Sequence, residues 1–306
     1  MVMTIEPAAT GARTSRMAWS FIAPAAVMSL FLVALPLAGL LGFSLFDWNL
    51  TRPGSLRFLG LGNYAAILKD PAFWQALATT AIFVVESVTL QMVAGVAIAL
   101  LLSHRLPGMG LVRTLFLTPM MIAPIFAGMI WRLCLSDDFG VVKFILQAGG
   151  WAEPPLWLAN PTFALHTIVA INSWQWIPFV VLFVMAGLQV IPGELYEAAH
   201  IDGASRFRAF LSITLPLLSP ILLTVLIFRT IDAIKVFDVI YATTAGGPGD
   251  STETISYLVY QQATNFFNLG YGSAIAVIML LIVAGLALLL VALSTRGAGS
   301  SVTEKP

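Results

Sequence analysis

Six stretches of this chain are each long enough and apolar enough to cross a bilayer, and nothing else in the sequence restricts the fold so strongly. They run over about Trp19–Phe46, Trp74–Ser103, Leu111–Leu135, Phe163–Ile191, Leu217–Thr243 and Tyr271–Leu293. A membrane helix needs roughly 20 mainly apolar residues to cover a hydrocarbon core of about 30 Å. Composition agrees, with 59% of residues hydrophobic and 10% charged, against roughly 25% charged in soluble domains. A water-soluble fold of this size has no interior large enough for that much apolar surface. The expectation is an all-α integral membrane protein with six transmembrane helices. Proline and glycine inside several runs are compatible with this where neighbouring helices satisfy the freed backbone groups.

Six spans put both termini on one side, and the positive-inside rule selects which. With the N-terminus inside, the inner segments carry Arg13, Arg16, Arg105, Arg113, Arg206, Arg208, Arg296 and Lys305. The outer loops then carry only Arg52, Arg57, Lys69 and Lys143. The excess places both termini in the cytoplasm. The first run is too long for a signal-peptide core and is read as a retained helix. Formal net charge is zero, which gives no electrostatic case for a nucleic-acid partner. The single cysteine, Cys134, excludes an intrachain disulfide framework and a multi-cysteine zinc site. His104, His166 and His200 lie far apart, so no metal site is expected.

One inner segment breaks the apolar pattern. Between the fourth and fifth runs the chain reads EAAHIDGASRFRAFLSITLP, from Glu197 to Pro216. Pro192 and Gly193 end the preceding helix. Glu194, Glu197 and His200 recur at three-residue spacing, on one side of a short helix. Asp202-Gly203 is a turn dipeptide in which glycine is free to adopt positive φ. Ser205 is placed to cap a second helix, with Phe207, Phe210, Leu211 and Thr214 on one face of it. Two readings of this pattern stand: an amphipathic connector in the headgroup region, or a docking helix. For docking, the small residues Ala198, Ala199 and Gly203 permit close approach, and Glu197 offers a charge.

The spacing of this segment resembles the EAA signature of binding-protein-dependent ABC importers. Glu197-Ala198-Ala199 is followed after three residues by Gly203, after nine more by Ile213, and then by Leu215-Pro216. FLGLGNYAAILKDPAFW (58–74) and FDVIYATTAGGPGDST (237–252) resemble outer segments of sugar-type permeases. Together they are most similar to the first permease subunit of carbohydrate importers of the maltose, glycerol-phosphate and polyol type, in its compact six-span version. The resemblance implies a type I importer permease fold in an inner membrane. A permease domain (19–296) would be flanked by cytoplasmic tails (1–18 and 297–306), with a coupling segment at 192–216. It implies that Glu194, Glu197, Ala198, Ala199, Asp202, Gly203, Ala204 and Arg206 contact an ATPase subunit. The implied partners are a second homologous permease, two ATPase subunits, an extracytoplasmic binding protein and the surrounding lipid, with a carbohydrate-like solute.

No Gly-x4-Gly-Lys-Ser/Thr nucleotide loop occurs. This chain is therefore expected to bind no cofactor and to catalyse nothing, with ATP and Mg on the partner ATPase. Charges inside spans are functional candidates. Arg229, Asp232, Lys235 and Asp238 alternate in sign at three-residue steps, which on one helix makes a neutral slanting stripe. The stripe is read either as self-pairing structure or as part of the solute pathway. Glu86 is expected to take a partner from another helix. Asn172, Trp174, Gln175 and Trp176 combine amides with aromatic faces, a set suited to sugar hydroxyls and ring faces, or to bonds between helices. Trp131 and Arg132 are weaker candidates of the same kind. An ion-coupled transporter using the charges of the fifth run is the alternative function.

Overall fold

The computed structural model describes residues 11–103 and 108–299, and side chains over 22–103 and 108–292. Arg13, Arg16, Arg105, Arg296, Lys305 and His104, used above for orientation or metal spacing, lie outside the described side chains. The chain is helical almost throughout. The first run forms α1 (Gly11–Ser44). A short hairpin follows, β1 (Phe46–Asp47) against β2 (Arg57–Phe58), and then α2 (Gly62–Ile67). The second run is α3 (Pro71–Leu102), opened by Asp70, whose carboxylate accepts from the Ala72 amide at 3.0 Å. The fourth run is α7 (Pro161–Val190), capped in the same way by Asn160. The last is α13 (Leu269–Gly299).

The third run is not one helix. α4 (Met109–Leu117) passes through a 3-10 turn (Thr118–Met121), and the axis then bends by 98° into α5 (Pro124–Cys134). Pro124 excludes the helical conformation from the residue before it, and Ile122 and Ala123 are extended. Among the described residues five helices are long and apolar enough to span a membrane, or six when this bent pair counts as one crossing. Between the third and fourth runs lies α6 (Val141–Ala148).

The fifth run is also interrupted, against the expectation of a continuous span to Thr243. α10 (Leu215–Ile234) stops, and α11 (Asp238–Thr243) starts anew after Phe237. No proline or glycine causes this break. Hydroxyls from the following segment meet the carbonyls it frees: Ser256 donates to Ile234 O at 3.4 Å and Thr254 to Val236 O at 3.3 Å. α12 (Ile255–Tyr260) then leads through a π-helical turn (Gln261–Asn265) towards α13.

Three apolar clusters hold the helices together. One joins α3, α7 and α11 through Phe83, Ile168 and Ile240. A second joins α2, α3, α12 and α13 through Ile67, Phe73, Leu258 and Ile275. The third joins α3, α7 and α10 through Ala99, Val184 and Leu218. Close contact relies on small residues, as expected where lipid removes the hydrophobic drive between helices. A Cβ on Gly95 would stand 2.6 Å from Val180, and one on Gly128 would stand 2.7 Å from Ala242. Phe31, Leu32 and Leu288 are among the exposed large apolar residues, a surface that suits lipid rather than water.

The loops sort to two ends. At one end Tyr271 donates to Asp70 at 2.6 Å, and Asn49 pairs with Asn268. At the other, Arg113 donates to Leu102 O at 2.7 Å, and the adjacent Ser103 lines a cavity with Tyr196 and His200 of the polar segment that follows α7.

Candidate functional site: an exposed hinged segment and a buried polar network

After α7 the chain turns at Ile191 and Pro192, both extended, into α8 (Gly193–Ile201). Asp202 and Gly203 form the hinge, with Gly203 at φ +75°. That left-handed conformation is open to glycine at no steric cost. Ser205 caps α9 (Arg206–Ala209) by accepting from the Arg208 amide at 3.3 Å. α9 continues through a π-helical turn (Phe210–Thr214) into α10. The hinged helix pair expected from the sequence is therefore present.

Glu194, Glu197, Ala198, Asp202, Gly203 and Arg206 are exposed, and Ala199 and Ala204 are half-buried. Large apolar side chains are exposed beside them: Ile201 is 85% exposed and Phe207 70%. A bond not foreseen from the sequence fixes the hinge. Tyr196 Oη lies 2.9 Å from Oγ1 of Thr214, which is buried. α8 is thereby tied to the base of α10.

The mid-membrane candidates come together differently. Gln91 of α3 donates to Asn172 Oδ1 of α7 at 2.9 Å. Arg229 of α10 donates from Nε to Gln91 Oε1 at 2.8 Å and from Nη1 to Asp232 at 2.8 Å. Its guanidinium lies 4.5 Å from the Trp176 ring centroid, a cation–π contact. Arg229 is 2% exposed and Gln91 fully buried. This network joins three helices. Gln175 is not part of it: its amide donates to Ile122 O at 2.6 Å, meeting the carbonyl freed at the bend between α4 and α5.

The four-residue stripe is corrected by the break after α10. Only Arg229 and Asp232 pair; Lys235 and Asp238 form no ion pair among the described residues. Asp238 instead opens α11, where a carboxylate favours the positive end of the helix. Glu86 has the partner from another helix that it required, with His166 Nδ1 at 2.8 Å from its Oε2. Trp174 packs edge-on against Trp131 at 5.5 Å, and Arg132 reaches Ala242 O at 3.5 Å. Gln91 is not singled out by the sequence reading and His166 is weighed there only as a metal ligand, although each is a polar residue in an apolar run. Among the described residues no group of three metal-ligating side chains occurs.

At the end opposite the hinge, Glu253 is buried in the loop before α12. Burial, with Asp250 and Asp70 adding like charge, raises its carboxyl to about 7.

Residues 91–297 match the family model described as binding-protein-dependent transport system inner membrane component. The chain belongs to this family. It is 40% identical to the trehalose/maltose transport system permease protein MalF of Thermococcus litoralis, over 89% of this chain and 91% of that one. It is 38% identical to the sulfoquinovosyl glycerol transport system permease protein SmoG of Agrobacterium fabrum, over 84% and 83%. Its fold matches a chain in the crystal structure of a bacterial alginate ABC transporter in complex with its pentasaccharide-bound periplasmic protein. That match has a TM-score of 0.83 at 19% identity, over 95% of this chain and 98% of that one. The chain is thus a multi-pass inner-membrane permease of the ABC importer class.

Proposed function

We propose that this permease forms one membrane half of an ATP-driven importer for a sugar, polyol or related glycoside. A second, homologous permease forms the other half. Two ATPase subunits carry ATP and Mg, and an extracytoplasmic binding protein delivers the solute. This chain binds no cofactor and does no catalysis. The observation that carries the reading is the exposed α8–hinge–α9 unit: its acidic and apolar side chains lack partners among the described residues, while Tyr196 ties it to α10. In this reading the unit and both termini are cytoplasmic, and Glu197 meets a basic group on the ATPase. Closure of the ATPase dimer displaces α8, and α10 carries the displacement to the solute pathway. Relatives named for trehalose, maltose and a sulfoquinovosyl glycerol support the carbohydrate class. The ion-coupled alternative loses its basis, because the charge relay it needs is broken after α10 and family membership points elsewhere.

Purification of the tagged chain from its native host in mild detergent tests this. Co-purification of an ATPase and a second permease, with solute-dependent ATP hydrolysis, is expected. A chain that emerges alone and inert, under conditions that preserve other complexes, contradicts it.

A further inference from the structure

α8 has two unlike faces. Glu194, Glu197, Ala198 and Ile201 fall on one side and are exposed, whereas Tyr196, Ala199 and His200 fall on the other. The second side looks back toward the membrane helices across a cavity of about 390 Å³. Leu100 and Leu188, in the last turns of α3 and α7, and Phe210, at the start of the π-helical turn, form its apolar walls. Ser103, His200 and Arg206 line its polar part. We propose that this cavity takes the headgroup and first acyl carbons of an anionic phospholipid, so that a lipid phosphate is seated behind the hinged segment. The proposal rests on the import reading, which makes this end cytoplasmic, and goes beyond it by naming a lipid ligand for that segment.

Three observations point to a phospholipid. The first is charge. Arg206 and His200 line the cavity and form no ion pair among the described residues. The carboxylates of the same segment, Glu194, Glu197 and Asp202, do not line it. The carbonyl end of α3, whose partial negative charge would repel a phosphate, is met by Arg113, which donates from Nε and Nη2 to Leu102 O at 3.1 and 2.7 Å. The second is depth. α3 ends at Leu102, α7 at Val190, and α10 begins at Leu215, so the cavity lies where the spans meet the headgroup layer. Basic pockets between helices at the cytoplasmic side are suited to acidic headgroups. The third is the apolar wall. Leu100, Leu188 and Phe210 are half-buried and stand beside the cation. A free anion would leave these faces against water, whereas acyl carbons cover them. The volume falls within the roughly 300–1,000 Å³ of small-ligand sites.

The test uses the whole complex, with its ATPase, in phosphatidylcholine nanodiscs. The probe is phosphatidylglycerol carrying a diazirine near the glycerol end of one chain, and phosphatidylcholine with the same chain is the reference. After illumination the labelled peptides are located by mass spectrometry. Labelling at Leu100, Leu188 or Phe210 should be about fivefold stronger from the anionic lipid, as one basic contact near a membrane surface gives. Arg206→Gln should remove that preference and Arg206→Lys should keep it. Arg208→Gln, at a side chain that does not line the cavity, should leave the labelling as it is. Ser103→Trp, which fills the cavity from α3, should lower the labelling, and it replaces Arg206→Gln if that variant fails to assemble. Equal labelling by the two lipids, or an equal loss in Arg208→Gln, would show only general attraction to the surface and overturn the proposal. Displacement by inorganic phosphate, but not by sodium chloride at the same ionic strength, would assign the cavity to a free anion and overturn it too. ATP-driven uptake by the unmodified complex is measured in parallel. Intact uptake without a preference for the anionic lipid removes only this site, whereas absence of ATP-dependent uptake removes the import reading itself.

Discussion

The hinged segment after α7 and the network around Arg229 are both groups of polar residues in an apolar chain, and they are opposites in construction. In the first, Glu194, Glu197, Asp202 and Arg206 face outward, and the internal bond from Tyr196 to Thr214 ties α8 to the base of α10. In the second, Gln91, Asn172 and Arg229 are turned inward and bond one another. A polar group that a protein leaves open in one place and closes in another has different work in each. In the proposed function the open set meets another chain. The closed set fixes the register of α3, α7 and α10 in a medium that cannot replace its hydrogen bonds. The two are linked through one element, because α10 runs from the hinge to the network.

Substitutions can break this contrast. Gly203→Pro removes the left-handed turn, since proline holds φ near −65°. It should lower ATP-driven uptake about tenfold or more, which corresponds to about 1.4 kcal/mol in barrier, while the chain still inserts and assembles. Glu197→Ala should act in the same direction. Normal uptake by both variants would separate the segment from coupling. Arg229→Ala leaves Gln91 and Asp232 without their donor. It should destabilise the complex by about 3 kcal/mol, read as a lower melting temperature and a lower yield of folded complex. Wild-type stability would show that the network is dispensable for packing.

A fourth variant addresses the end opposite the hinge. A carboxyl that keeps its proton to about pH 7 when folded, but loses it near 4.5 when unfolded, favours the folded state in proportion to the protons held. That contribution is complete below about 4.5 and is lost as pH rises to about 7. Glu253→Gln should therefore flatten the fall in melting temperature across that window; an unchanged profile would mean that Glu253 is not held protonated. The smallest effect is expected from Tyr196→Phe, which removes one hydroxyl bond worth about 1 kcal/mol. It should loosen coupling a few-fold, seen as more ATP hydrolysed per solute imported, without loss of assembly.

The hinged segment was legible in the sequence because its determinants are local. Pro192, Gly203 and Ser205 act through their own backbone conformations and caps, and a linear pattern records them. The spans were legible by length and apolarity for the same reason. The breaks were not equally visible. Pro124 marks the bend before α5, but the stop after Ile234 depends on Thr254 and Ser256, some twenty residues later in the chain. The stripe from Arg229 to Asp238 therefore read as continuous when only its first pair forms. Asn172 and Gln175 showed the right chemistry for hydroxyls, yet the groups that bond the Asn172 oxygen and the Gln175 amide nitrogen, Gln91 and the Ile122 carbonyl, are distant in sequence. Local chemistry identifies a polar group in a span, and tertiary packing decides which way it faces.

The most direct test of the central claim is a photo-crosslinking amino acid placed at Ile201, on the exposed end of α8, and as a control at Asp250, in the loop before α12. Both would be measured in the assembled complex. The account predicts that Ile201 crosslinks to the ATPase subunit and that Asp250 does not. A complex that contains the ATPase, but in which it is captured from Asp250 or from neither position, would contradict the assignment of the hinged segment as the coupling element.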